Sequence, residues 1–405
     1  MFPCDDPPLR KWQNRLLTVA KLGVTMGLEV RKAHTSNSKI EEAVEELSHS
    51  IDSVDANFCL YFASSSYDQA ALAATMHAAF TAPVFGCSTS GEISAEGYSS
   101  NSIVGISFLS QRASVSPFLI ENLSEITPQS IAETASSINK TVVRAKRAMP
   151  GANAVAIVLM DGLQKMEDRL LGMLSPLLPT VDVVGGSAGD DLKFKKTFIH
   201  FGGKAHTNAA LVIVITTELP FSTFKIQHFN PTDRKLVITE ADAANRTVLE
   251  INGEPAADAY AKAIGISVEE LTPAVYSHRP LLISVGGESY IRAIQEISSD
   301  KSIKFFCAIE EGIVLSVGEG SSIKDNLRQR FDELRRQLRV PEVTLCFECV
   351  LRKLEVIDKN IQNEIGGIFR DAKAIGFHTY GEQLGAIHMS QTLTGIAFGK
   401  ISENG

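Results

Sequence analysis

The segment from residue 84 to 108 occurs again, altered, at 374 to 398. Gly86-Cys-Ser-Thr-Ser-Gly-Glu92 and Gly376-Phe-His-Thr-Tyr-Gly-Glu382 both read G-x-x-T-x-G-E, and the match runs on at the same offset of 290 positions into residues 103–108 and 393–398. Eight of the twenty-five aligned positions are identical, where a chance register gives about one or two, so the chain contains a duplication. In each copy an apolar run ends in a glycine-bearing turn and the chain returns on a second strand. Glycine there permits positive φ and close backbone approach. Thr89, Gly91 and Glu92, with their counterparts Thr379, Gly381 and Glu382, are therefore candidate pocket residues if the two turns face each other across a pseudo-twofold axis and line one cleft. The plainer alternative is that each Thr and Glu satisfies its own turn. Val184-Gly-Gly-Ser-Ala-Gly-Asp190 and Val285-Gly-Gly-Glu288 are looser echoes.

The periodicity around these turns alternates between helix and strand, which gives an α/β (mixed α+β) class with flanking helices on mixed sheets. Helical spacing covers 40–51, 67–80, 128–149, 165–174, 255–264 and 322–338. Strand-length apolar runs fall at 58–63, 83–87, 102–109, 154–160, 181–184 and 209–216 in the first half. The second half adds 223–228, 235–239, 281–285, 303–308, 313–317, 343–349, 374–377 and 393–398. Residues 1–35 read as an irregular leader. No low-complexity linker interrupts the rest, so the organisation is a leader and helix over 1–49 and two packed modules over 50–218 and 219–402.

The 405 residues carry a net charge of −8 with 21% charged side chains. That balance lacks the basic face a nucleic-acid partner requires. The most apolar runs are strand-length, short of the roughly 20 residues of a membrane-spanning helix. Lys21 interrupts the apolar stretch 16–28, which speaks against a signal peptide. The expectation is a cytoplasmic protein whose six cysteines are reduced. Cys346 and Cys349 form a C-x-x-C inside a strand, where residues three apart point to opposite faces, so no metal is expected there.

Searches for catalytic signatures return one lead. Gly185-Gly-Ser-Ala-Gly189 spells G-x-S-x-G after a strand, but a nucleophile elbow must open a helix and Asp190-Asp-Leu-Lys reads as a turn. A hydrolase using Ser187 is the weakest of three functional readings, and no enzyme is expected. No two of the nine histidines share the i, i+4 spacing of a helical metal pair.

Taken in order, several motifs resemble the FIST family. Gly86–Ile93, Val184–Asp191 and the following Asn208-Ala-Ala-Leu-Val-Ile are similar to its FIST N domain. Asn252-Gly-Glu-Pro-Ala, Arg279-Pro280, Gly286-Gly-Glu-Ser-Tyr-Ile-Arg292, Tyr380-Gly-Glu-Gln383 and Gln391-Thr392 are similar to its FIST C domain. Ser390 stands where the family usually has Asn. The resemblance covers roughly residues 50 to 400 and implies a ligand-sensing role in signal transduction. One branch of that family binds haem b, senses nitric oxide and modulates a histidine kinase in trans. The leading expectation is the same role here, with His278, His388, His228 and His378 as axial-ligand candidates. The alternative is a non-haem sensor of a small polar ligand such as an amino acid, engaged by Glu92, Glu382 and Arg292.

Overall fold

The computed structural model describes residues 27–400. Cys4 and the leader up to residue 26 lie outside them. The chain is built from three copies of one unit, with a lobe inserted in the third. The first unit runs β1 (Glu29–Thr35), α1 (Ile40–Ile51), β2 (Phe58–Ser64), α2 (Gln69–Ala79), β3 (Val84–Thr89), a hairpin β4 (Glu92–Ser94) and β5 (Gly97–Ser99), and β6 (Ile103–Leu109). The second repeats it as β7 (Ala113–Glu121), α3 (Pro128–Ala148), β8 (Asn153–Met160), α4 (Glu167–Leu174), β9 (Val181–Ser187), hairpin β10 (Ile199–Phe201) and β11 (Lys204–His206), and β12 (Ala209–Thr217).

The third begins with β13 (Phe221–Ile226) and leaves at once into the inserted lobe. The lobe comprises β14 (Phe229–Asp242), β15 (Thr247–Ile251), β16 (Glu254–Pro255), α5 (Ala256–Ile264), α6 (Pro273–His278), β17 (Leu281–Val285), β18 (Glu288–Arg292), β19 (Ile294–Ile297), β20 (Ile303–Phe305) and β21 (Val314–Gly320). The unit resumes with α7 (Ile323–Leu338), β22 (Val343–Cys349), α8 (Val350–Asp358), α9 (Gln362–Asp371), β23 (Ala374–Thr379), hairpin β24 (Glu382–Leu384) and β25 (Ile387–Met389), and β26 (Leu393–Phe398).

Each unit builds a six-stranded sheet in the same order, and each sheet ends in a hairpin borrowed from another unit. The orders are β1-β6-β2-β3-β10-β11, β7-β12-β8-β9-β24-β25 and β13-β26-β22-β23-β4-β5. The hairpin after β3 therefore serves the third sheet, the one after β9 the first, and the one after β23 the second. Alternation within the central strands explains why the sheets pack as they do. Phe58, Leu60 and Phe62 join Val155, Ile157 and Leu159 and Val343, Leu345 and Phe347 in one shared core. The residues between them face outward: Cys59, Tyr61 and Ala63 under α1 and α2, Ala156, Val158 and Met160 under α3 and α4, and Cys346 under α7 and α9. A strand covered on both faces has no polar face to show, which is why these runs read as continuously apolar.

The sequence repeat is thus threefold, and the pseudo-twofold relation expected from the 290-residue echo is replaced by a threefold one. Register shows the missing copy. Gly86 lies opposite Tyr61, Gly185 opposite Val158 and Gly376 opposite Cys346 across the three parallel pairs. A Cβ on Gly86, Gly185 or Gly376 would stand 2.7, 2.0 or 1.8 Å from the carbonyl oxygen of that same partner. The shared glycine is a steric requirement of one repeated strand contact. Two local expectations are also corrected. The leader is not irregular to residue 35, because Glu29–Thr35 pairs with β6 as an edge strand. Residues 350–371, left without an element, form α8 and α9.

Candidate functional site

Each borrowed hairpin leaves a seam between its own unit and the sheet it completes. In the first seam the position is filled by packing: His200 stacks on Tyr61 with ring centroids 5.3 Å apart, and burial holds its pKa down to about 3. The other two seams bury charge.

In the second seam β24 lies on β9, with Gln383 opposite Gly185 and cross-strand from His388. The first residue of α4 brings Glu167 beneath them. Ser187 Oγ lies 3.4 Å from Glu167 Oε1 and 3.4 Å from Gln383 Nε2. The inserted lobe closes the far side. Arg292 Nη1 donates to the His388 carbonyl at 3.1 Å, and Ser390 Oγ sits 3.5 Å from Cys307 Sγ while accepting from Ala293 N. Arg246 clamps the lobe down, with Nη2 2.7 Å from the Lys165 carbonyl and 3.2 Å from Glu167 Oε2. Asp168 adds a hydrogen bond from Ala308 N at 3.1 Å.

Four polar atoms in this seam have no hydrogen-bond partner among the described residues: Arg292 Nε, His388 Nδ1, Gln383 Oε1 and Gln391 Oε1. All four residues are at least nine-tenths buried. Buried donors and acceptors without partners cost about 1–3 kcal/mol each, which makes this seam a candidate for binding a small polar group. The electrostatics are unusual too. Burial opposes charge on His388, but Cys307, Glu167 and Asp168 outweigh it and lift its pKa to about 9. Burial likewise opposes a Cys307 thiolate, yet the charge of His388, a hydrogen bond from it and the charge of Arg292 bring the thiol below its ordinary value.

The third seam holds an ion network. Arg352 Nε donates to Glu348 Oε1 at 3.1 Å, Tyr98 of the borrowed hairpin donates to Glu348 Oε2 at 2.6 Å, and His378 packs edge-on against Tyr98. His228 uses both ring nitrogens, Nδ1 at 2.9 Å from Arg352 Nη1 and Nε2 at 3.0 Å from Glu355. Among the described residues, Arg352 Nη2 and both nitrogens of His378 have no hydrogen-bond partner.

The repeated Thr and Glu close their own turns, as the plainer alternative holds. Thr89 and Ser102 donate to Glu92, and Thr379 and Thr392 donate to Glu382. Burial lifts both carboxyls to about 7 against those hydrogen bonds. The glycines beside them make room for a neighbour. A Cβ on Gly381 would stand 2.0 Å from His388 Cε1, and one on Gly91, at φ +114°, would stand 2.2 Å from Lys353 Nζ.

Among the expected residues, Arg292, His388, Gly381, Thr379 and Glu382 meet at the second seam, and His228, His378, Thr89, Gly91 and Glu92 at the third. His278 belongs to neither. It is the last residue of α6, with Nδ1 2.7 Å from the Ala274 carbonyl. Ser187 is fully buried, and the residues after it turn around Asp190, which accepts from three backbone amides, in place of an elbow helix. Sequence reasoning missed Cys307, Gln383, Glu167 and Arg246. Gln383 adjoins the repeated motif and could have been found there; the other three carry no local signal. Among the described residues no helix is long and apolar enough to cross a membrane, and no group of three or more His, Cys, Asp or Glu side chains is placed to hold a metal ion.

Comparison with known proteins agrees with the order of the motifs. The FIST N domain matches residues 57–254 and the FIST C domain residues 256–384, so the two meet inside the inserted lobe. An uncharacterised protein of Methanocaldococcus jannaschii is 26% identical over 181 residues, an alignment spanning 44% of this chain and 34% of that relative. The chain thus matches about a third of that relative's length. A chorismatase crystal structure aligns over 94% of this chain and 100% of its own, with 9% identity and a TM-score of 0.36, too low to carry an argument. FIST domains are associated with the sensing of small ligands in signal transduction. With both domains present in order across most of its length, the chain belongs to the FIST family.

Proposed function

We propose that this protein is a sensor of a small polar ligand bearing both an acidic and a basic group, such as a free amino acid, and that the ligand binds in the second seam. The observation that carries this is the set of unpartnered buried atoms on Arg292, His388 and Gln383. Arg292 offers a guanidinium nitrogen suited to a carboxylate. Gln383 Oε1 accepts from an ammonium, and Glu167 stands near as a counter-charge. Arg292 reaches the seam from the inserted lobe and Gln383 from the third unit's own hairpin. A ligand touching both ties lobe to core, and that tie is what a signalling partner, such as a histidine kinase in trans, would read. Calorimetric titration with the individual amino acids tests this. One or more should bind, and binding should be lost in Arg292→Gln. Failure of every amino acid to bind or to raise the melting temperature would overturn the reading.

Haem b with nitric oxide as its signal is the second reading, favoured by the two ring nitrogens of His378, which make no hydrogen bond among the described residues although Nδ1 lies 3.5 Å from Glu348. Against it, His228 is held at both nitrogens, His378 lies against Tyr98, and His388 lies against Gly381 and beside Cys307. Two surface cavities among the described residues, of about 440 and 410 Å³, are lined by other residues and by no histidine. Expression with haem supplied decides between the two. A Soret band that shifts with nitric oxide and disappears in one of the variants His228→Ala, His278→Ala, His378→Ala or His388→Ala would support haem.

A further inference from the structure

We propose that Cys307 and Cys349 form a peroxide-sensitive thiol pair that, once oxidised, fastens the inserted lobe to the third unit. This goes beyond the ligand reading and needs no ligand in the seam. Cys307 follows β20 in the lobe and is fully buried. Its Sγ lies 3.5 Å from Ser390 Oγ. Cys349 closes β22 of the core, and its amide donates to the Thr392 carbonyl at 3.0 Å. The two cysteines therefore flank one tripeptide, Ser390–Thr392, whose ends are at most about 7 Å apart. Phe306 and Leu351, beside them in sequence, pack in a single apolar cluster. Charge on Cys307 adds to what holds the Cys349 thiol up.

The two cysteines are not alike. His388 hydrogen-bonds to Cys307 and Arg292 adds positive charge, the setting that favours a reactive thiolate. Cys349 faces the Glu382 carboxyl, and burial keeps its thiol well above its ordinary value. That asymmetry assigns the roles of attacking and resolving cysteine. Hydrogen peroxide is little larger than water, and the unpartnered atoms of His388, Arg292 and Gln383 provide a polar place for it beside Cys307. The Cys307 thiolate attacks one peroxide oxygen. An S–O bond forms and the O–O bond breaks. Sulfur is oxidised by two electrons, and the leaving hydroxide takes the proton of the His388 imidazolium to become water. The Cys349 thiol then displaces the Cys307 sulfenic hydroxyl, giving the disulfide and a second water. Both sulfurs lie at the lobe's contact with the core, so the bond would stop the lobe from parting there.

The test is peptide mapping of the full-length wild-type protein after treatment with a slight molar excess of hydrogen peroxide. A cross-linked peptide pair containing Cys307 and Cys349 is expected, with Cys59, Cys87 and Cys346 still reduced. In Cys349→Ser, dimedone should label Cys307 as the trapped sulfenic acid. His388→Gln should slow that labelling by about a hundredfold, the scale of a lost proton donor and charge partner, while far-ultraviolet circular dichroism stays unchanged. Absence of the 307–349 pair in the wild-type map, or oxidation of Cys307 no faster than that of Cys59 or Cys346, would overturn the proposal. The wild-type map needs no variant to fold, and its result stands whether or not an amino acid binds.

Discussion

Arg352 and Glu348 form an ion pair at 3.1 Å, four residues apart in sequence, with neither side chain exposed to solvent. The pair joins the end of β22 to the start of α8, and Tyr98 reaches it from the first unit. A buried pair gives little net stability over an apolar substitute, but removing one partner strands the other. Arg352→Ala should cost about 3–5 kcal/mol in denaturant unfolding. The double variant Arg352→Met, Glu348→Leu should recover most of that loss. Equal destabilisation of the single and double variants would show that the pair is not the unit that matters.

Glu92 and Glu382 predict a pH dependence with a definite sign. Their carboxyls titrate near 7 in the folded protein, against an unfolded value near 4.3. The folded state therefore holds more protons across that window, and stability contributed by the protonated forms is lost as pH rises from about 4.5 to about 7. His200, held neutral to about pH 3, acts in the opposite sense below about 6.5. The measurement is accordingly a difference. Relative to wild type, Glu382→Gln should be more stable at pH 8 than at pH 5. A difference independent of pH would refute the assignment.

The glycine opposite each parallel partner should not tolerate a methyl group. Gly376→Ala and Gly185→Ala place carbon within 2.0 Å of a backbone carbonyl oxygen, and each should cost about 3 kcal/mol or more in thermal unfolding. Gly172, exposed in α4 with nothing near its missing Cβ, is the control. Gly172→Ala should gain about 0.5–1 kcal/mol.

Arg246 is the lobe's main polar tie to α4. Arg246→Ala leaves Glu167 buried without its counter-charge and should loosen the lobe before the core. Limited proteolysis should then cut faster near residues 228 and 321, where His228 and Ser321 hold the two crossing strands together. Unchanged cleavage there would mean the lobe is held elsewhere.

Much of the architecture was legible because apolar runs buried on both faces are conspicuous. The strand at 343–349 and the helix at 40–51 have the bounds that their patterns indicate. The threefold symmetry was hidden because the second copy keeps the glycine at 185 but carries Ala188 and Asp190 where the others have Thr and Gly. The three-residue hairpin strands are too short to show alternation. The site was only half visible. Arg292 and Gln383 sit in family-like motifs, but Cys307, Glu167 and Arg246 are ordinary residues in ordinary stretches. Only the docking of the lobe on α4 and β25 gives them a common purpose.

The exchange of hairpins has a consequence for how the chain can be divided. Cutting between residues 218 and 219 would release a first piece whose second sheet ends at a bare β9 and whose β4–β5 hairpin has no sheet to complete. The second piece would lack the last two strands of its own sheet and carry β24–β25 as an orphan. Neither piece is self-sufficient, and each holds what the other lacks. Produced separately, the halves should be poorly soluble, since open sheet edges recruit foreign strands. Produced together, they should reassemble, because the interlock itself supplies the specificity of their reunion.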